Sequence, residues 1–307
     1  MKHLRRHAWE AALIAVTVVW GSTFVMVKDG VERIPPYSFN ALRFSLAAVA
    51  LGACCLPALR TLGRDGRLHG AVLGVFLFAG YAFQTVGLQH TAASTAGFIT
   101  GMFVVFTPIL SATILRRRPG PAAVVGVALA TVGLGLLSLR GSWYPGFGDL
   151  LILGCALAFA AHIVGLGAWS PHHATLPLTT VQLAVAALLH SATAAAVELP
   201  GAAYRWDAPV VGALLVTALL ASAAGFWIQT AAQRVIPPTR TAIILTMEPV
   251  FAGLFGYALL RERLSARGWL GAGLILAGML TAELGAVADP DLGEDVADPV
   301  TQSPAAR

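Results

Sequence analysis

Ten apolar runs, each close to the length of a bilayer crossing, divide the 307 residues into two sets of five whose motifs recur in the same order. The first set carries Leu88-Gln89-His90 followed by a small-residue run and Phe106-Thr107-Pro108-Ile109; the second carries Ala232-Gln233-Arg234 followed by Met247-Glu248-Pro249-Val250. Because five is odd, a second copy must enter the membrane from the side opposite to the first. Such a pair has a pseudo-two-fold axis in the bilayer plane, a layout shared by many secondary transporters.

Composition agrees with immersion in lipid. With 57% hydrophobic and 11% charged residues and a mean hydropathy of +0.75, the chain lacks the polar residues that a soluble body of this size needs for its surface. Ten crossings of roughly 20 residues leave only short loops. Lipid supplies no partner for open backbone groups, and period-2 alternation is absent, so the runs are expected to be helices. The spans read 11–27, 36–56, 69–89, 96–115, 121–139, 149–169, 177–197, 209–231, 241–260 and 268–287. The fold class is thus all-α integral membrane, ten transmembrane helices as two inverted five-helix repeats over 10–140 and 148–287, followed by an acidic tail over 288–307 expected to be disordered. The first span follows Lys2, Arg5 and Arg6 without a small-residue cleavage pattern, so it reads as a helix and not as a removed leader. The joint between the halves falls at Arg140–Gly148, whose Trp143, Tyr144 and Phe147 suit a membrane interface.

Placing the N-terminus inside puts eleven Lys and Arg on inner segments and seven on outer ones, which orients both termini to the cytoplasm. The basic residues cluster at span ends, so they give no sign of nucleic-acid binding. Cys54, Cys55 and Cys155 lie inside apolar runs and read as small core residues, and the adjacent His172 and His173 point apart on a helix. No metal and no cofactor is expected. Small-xxx-small patterns such as Gly97–Gly101 and Gly273–Ala277 permit close helix packing and, with it, a homodimer.

A charge near mid-bilayer costs at least about 2.5–3.5 kcal/mol, so each needs a partner, a cavity or a purpose. Glu248 lies about ten residues from either end of its span, roughly 15 Å deep at the helical rise. It reads either as a carboxylate facing a water-filled cavity and exchanging protons, or as a buried Glu bonded to a neighbouring helix and steadying a kink at Pro249. Arg43 shares a helical face with Asn40, as Gln182 does with Thr179 in the second copy. It can hold a substrate carboxylate, lock two helices together, or snorkel to the headgroups. Trp20 and Thr23 on helix 1 match Phe159 and His162 on helix 6, aromatic and polar groups suited to an amphipathic solute or to plain packing. Gln84 and Gln229 on helices 3 and 8 complete the candidate cavity lining, with interhelical hydrogen bonding as the alternative.

Taken in order, Trp20-Gly21-Ser22-Thr23-Phe24, Arg43-Phe44, Gly87-Leu88-Gln89-His90-Thr91, Ala96-Gly97-Phe98, Glu248-Pro249-Val250, Glu262-Arg263-Leu264, Gly271-Ala272 and Leu276-Ala277-Gly278 span nearly all of 10–285. This set resembles the EamA-type branch of the drug/metabolite transporter superfamily. The resemblance implies a solute path between two inverted halves and the movement, mostly outward, of small metabolites, amino acids or drugs across the cell membrane. It departs where Arg116-Arg117-Arg118-Pro119 stands in place of Arg261-Glu262-Arg263-Leu264, so one copy lacks the acid. The chain carries no Gly-x-x-x-x-Gly-Lys nucleotide loop, which points to a secondary transporter working by alternating access, with Glu248 as the candidate for proton coupling. The competing reading is an intramembrane enzyme acting on lipid head groups, for which only scattered histidines and carboxylates are present. The expected partners are a small-molecule solute and the lipid bilayer.

Overall fold

A computed structural model of the chain describes residues 2–114, 121–138, 145–198, 204–236, 241 and 244–288. The Arg116–Arg118 run, most of the Arg140–Gly148 joint, Arg240 and the acidic tail beyond Ala288 lie outside the described residues. Among those described, the fold is all-helical. The helices are α1 (Lys2–Gly30), α2 (Pro36–Thr61), α3 (Arg64–Leu88), α4 (Ala93–Thr100), α5 (Phe103–Ile114), α6 (Pro121–Ser138), α7 (Phe147–Trp169), α8 (Thr175–Val197), α9 (Ala208–Leu215), α10 (Gly225–Ala232), α11 (Met247–Leu260) and α12 (Ala266–Ala288). Seven helical stretches are long and apolar enough to cross a membrane, and three more, Val124–Leu137, Met247–Leu260 and Ala266–Thr281, are apolar but shorter.

Three expected spans are not single regular helices. The fourth breaks at Gly101 and Met102 between α4 and α5. In the eighth, a nine-residue π-helix, Val216–Ala224, joins α9 to α10, and the Gly225 N–H bonds the carbonyl of Leu220, five residues back. A widened turn of this kind is rare and accumulates at functional sites. The ninth is interrupted at Thr246: residues 241, 244 and 245 are helical before the turn, and regular helix resumes at Met247. Glu248 and Pro249 therefore sit in the first turn of α11, just after the interruption, where a missing N–H costs no bond within that helix, and the break at Thr246 lies three residues before Pro249. A depth for Glu248 counted along a continuous helix does not apply.

The packing repeats. α6 lies along α12, α2 along α8, and α4 against α11; α3 packs on α7, as α1 does on α9 and α10; α4 and α5 pack on α7, as α11 does on α1; and α3 packs on α8, as the π segment does on α2. Exchanging α1 with α7, α2 with α8, α3 with α9–α10, α4–α5 with α11 and α6 with α12 maps this set of pairings onto itself. Close contact in lipid relies on small residues because apolar side chains gain little by leaving lipid tails. The α6–α12 pair shows this directly: a Cβ on Gly133 would stand 2.6 Å from the Gly271 carbonyl oxygen, and one on Gly271 would stand 2.7 Å from that of Gly133.

Those contacts are with backbone and cannot rotate away. Gly271→Ala is expected to destabilise the protein by about 1–3 kcal/mol through overpacking. Gly273→Ala, on the same helix with nothing within 4 Å of the added carbon, should leave it unchanged or slightly more stable. Thermal melting of the two variants in one detergent compares them; equal melting temperatures would contradict the close α6–α12 approach.

Candidate functional site

Four helices present the same local pattern to the centre of the bundle: an aromatic residue with a polar one three positions later, hence on one face. The pairs are Trp20 and Thr23 on α1, Tyr81 and Gln84 on α3, Phe159 and His162 on α7, and Phe226 and Gln229 on α10. All eight line one cavity, joined by Glu248 from α11 and closed by Phe24, Phe103, Ile163 and Leu245. The cavity and its mouth together take in about 430 Å³ of non-atom space, part of it open solvent. Its aromatic wall is continuous: Tyr81 meets Phe159 edge-on at 5.2 Å between centroids, and Trp20 meets Phe226 at 5.3 Å.

Seven of the nine residues singled out in the sequence, Trp20, Thr23, Gln84, Phe159, His162, Gln229 and Glu248, therefore come together on this wall. Arg43 and Gln182 do not; they stand one layer behind, each bonded to a wall residue. Gln182 Oε1 accepts from His162 Nε2 at 2.9 Å. Arg43 is 1% exposed, so it does not snorkel to headgroups. Its guanidinium lies 4.4 Å over the face of the Tyr81 ring, donates from Nε to Ser222 Oγ at 2.7 Å, and donates from Nη2 to Tyr81 Oη at 3.3 Å. Among the described residues no carboxylate lies within ion-pair reach of it. Asn40, one turn earlier on the same face, donates to the Tyr81 carbonyl and to Thr85.

The π segment explains how α2 and α1 reach these partners. Its altered register leaves the Ala221 carbonyl to accept from Trp20 Nε1 at 2.8 Å and turns Ser222 toward Arg43. Gly225, just after it, has no Cβ because one would stand 2.8 Å from the Trp20 indole nitrogen. α1 also touches α11 beside the carboxylate: a Cβ at Gly21 would lie 2.5 Å from Phe251 Cβ and 3.0 Å from the Glu248 carbonyl. Glu248 itself is 6% exposed, and its side chain has no hydrogen-bond partner or ion pair among the described residues, so the neighbouring-helix bond expected of a purely structural Glu is absent there. Gln229 Oε1, on the same wall, is likewise a buried acceptor without a donor.

Polar links gather at one rim of the bundle. Glu198 accepts from the Tyr37 and Ser38 N–H groups and caps α2; Glu262 accepts from the Ala93 and Ser94 N–H groups at 2.9 Å and caps α4. Glu262 is brought round by Arg261, whose left-handed φ of 54° ends α11. On the same rim Lys28 donates to the carbonyls of Leu88 and Thr91, and Arg33 bridges Asp29 and Asp207. The two carboxylates, Asp29 first, hold Arg33 above its ordinary range, and the Val210 N–H, followed by Arg33, holds Asp207 below its own. The opposite rim has His69 and His173 in contact at 2.9 Å, with burial and the neighbouring histidines pushing His173 down.

Tyr81 and Phe226 were absent from the sequence-based candidates although the aromatic-x-x-Gln spacing on helices 3 and 8 repeats that of Trp20-x-x-Thr23 and Phe159-x-x-His162. The glutamines alone hid the pattern. The pairing of His69 with His173 joins residues 104 apart and has no local signal.

Comparison with known proteins covers most of the chain. Residues 7–139 and 146–282 each match the model of the EamA-like transporter family. An uncharacterized transporter of Archaeoglobus fulgidus is 36% identical over 277 residues, covering 90% of this chain and 85% of its own. A probable amino-acid metabolite efflux pump of Escherichia coli K12 is 27% identical over 288 residues, covering 87% of this chain and 91% of its own. A crystal structure with 18% identity superposes with a TM-score of 0.67 over 90% of this chain and 96% of its own, a likeness of fold.

The Arg43 network yields a stability prediction. Ser222→Ala removes the acceptor of the Arg43 Nε donor and is expected to cost about 1–3 kcal/mol, because the buried donor is left unsatisfied. Ser22→Ala, whose hydroxyl bonds only its own helix at Val19, should cost much less. Denaturation of both in the same detergent tests this; similar losses would count against the network.

Proposed function

This chain belongs to the EamA-like transporter family, and from that premise we propose that it is a secondary transporter moving a small organic solute between two inverted five-helix halves by alternating access. The halves are 10–140 and 148–287, ten crossings in all, in the cytoplasmic membrane with both termini inside. The family places the chain among transporters and not among lipid-modifying enzymes, and its helices make it a multi-pass membrane protein. The observation that carries the mechanism is that both halves contribute matched aromatic-polar pairs to a single cavity. The pairing of helices, unchanged when the halves are exchanged, supports an inverted repeat.

On this orientation the rim closed by Glu198, Glu262, Lys28 and Arg33 faces outward. Both carboxylate caps come from the second half and clasp helix starts of the first, so opening that rim requires them to let go. Metabolites, amino acids or drugs are the solutes, with export the favoured direction; the efflux name of the Escherichia coli relative supports it. Glu248 is the coupling residue: the carboxylate on the wall takes a proton when the site faces one side and gives it up on the other.

Flux of a panel of such solutes into proteoliposomes, with and without a pH gradient, tests the mechanism. Wild-type flux should rise with the gradient, and Glu248→Gln should abolish that dependence; equal flux in both conditions and in both proteins would remove proton coupling, and no flux of any solute would remove the transporter reading. Gating gives a second expectation. With the native cysteines replaced and a cysteine at Thr23, the double variant Glu198→Ala, Glu262→Ala should be labelled faster than its parent by an impermeant maleimide from the outside. Each lost cap is worth about 0.5–2 kcal/mol, enough to shift a two-state equilibrium severalfold. An unchanged labelling rate would show that these caps do not hold the rim.

A further inference from the structure

We propose that the cavity selects organic monocations that carry an aromatic or apolar body and no carboxylate, with Glu248 as counter-ion and the ring wall as the surface that receives the rest. This rests on the transporter reading and names its substrate class.

The wall carries one acidic side chain, Glu248, and no Lys or Arg. A buried carboxylate with neither a hydrogen bond nor a cation among the described residues calls for a positive partner, since desolvation of an unpaired charge is costly and a cation relieves it. The second orphan on the wall has the same preference: Gln229 Oε1, 2% exposed as a residue, accepts hydrogen bonds and has no donor. An ammonium offers N–H groups to both. Around them Trp20, Tyr81, Phe159 and Phe226 present aromatic rings, whose negative faces attract a cation most strongly where water is excluded.

The same wall disfavours the other charge types. An anion meets Glu248 with nothing to offset it. A zwitterion needs a second, positive site for its own carboxylate, and the nearest buried cation, Arg43, is screened by the Tyr81 ring and committed to Ser222 and Tyr81. His162 has its Nε2–H committed to Gln182. An amino acid could reach Arg43 only by displacing Tyr81, which is held in turn by Asn40 at its backbone and by Phe159 at its edge.

Three compounds built on one phenylethyl unit isolate the charged groups: 2-phenylethylamine as cation, phenylalanine as zwitterion and 3-phenylpropionate as anion. Binding to the purified full chain, followed by titration calorimetry at neutral pH, should rank the amine at least about tenfold tighter than phenylalanine, with the propionate weakest. Glu248→Gln should weaken the amine by about tenfold or more, whereas Glu248→Asp, which keeps the charge, should retain most of the affinity. The wild-type ranking needs no variant, so a misfolded Gln protein does not blunt the test. Phenylalanine or the propionate binding as tightly as the amine overturns the assignment. Flux of the same three compounds in proteoliposomes separates the two levels: transport of the zwitterion or anion without the amine leaves a transporter but refutes a cation site, and absence of both binding and flux of all three refutes the cation site while the broader solute panel decides the transporter.

Discussion

The bond from Arg43 to Ser222 joins the two halves at the point where the rest of the site is set. A guanidinium buried in an apolar bundle has to be met by protein groups, because lipid supplies none. Here the first half supplies the cation and the ring of Tyr81, and the second supplies the hydroxyl, presented by a π-helix. That π-helix has a cost in regular bonding, offset where the Ala221 carbonyl accepts from Trp20. Two wall aromatics, Trp20 and Tyr81, thus have their positions fixed by one irregular turn in another helix. The cavity is a consequence of how a buried charge was accommodated.

A second constraint is the helix end. The first N–H groups of a helix lack intrahelical acceptors, and in a bundle with short loops they need side chains to take them. α2 and α4 are capped by Glu198 and Glu262, both from the second half and both at one rim. The first-half counterpart of Glu262 falls in a run of arginines, which accept nothing. The halves therefore differ in which rim they can fasten.

Much of this was legible in the sequence, and what was not has definite causes. The apolar runs located helices with ends displaced by a few residues, as for α1, which extends to Gly30 beyond an expected end at 27. Hydropathy cannot register a break between two apolar segments, so the Gly101–Met102 turn, the π-helix and the turn at Thr246 were invisible: each keeps the surrounding residues apolar while changing their hydrogen bonds. The polar candidates could be chosen because polarity in lipid is expensive, and seven of nine reached the wall. Arg43 and Gln182 were misplaced by one layer, since periodicity tells which face a residue occupies but not what stands between it and the cavity. The rim caps had no pattern at all, because each joins residues more than 150 apart.

The mismatch between the halves at Thr107 and Glu248 follows from where each helix begins. In the first half the break comes at Gly101–Met102, so Thr107 is already inside α5 and spends its hydroxyl on the Phe103 carbonyl behind it. In the second half the break falls at Thr246, two residues before Glu248, whose side chain makes no hydrogen bond among the described residues. The proline that follows each residue is an interior proline in α5 and a first-turn proline in α11. The shifted break and the change from a short hydroxyl to a longer carboxylate together separate a locally bonded group from one on the cavity wall. That arrangement leaves the counter-ion role open to whatever enters the site.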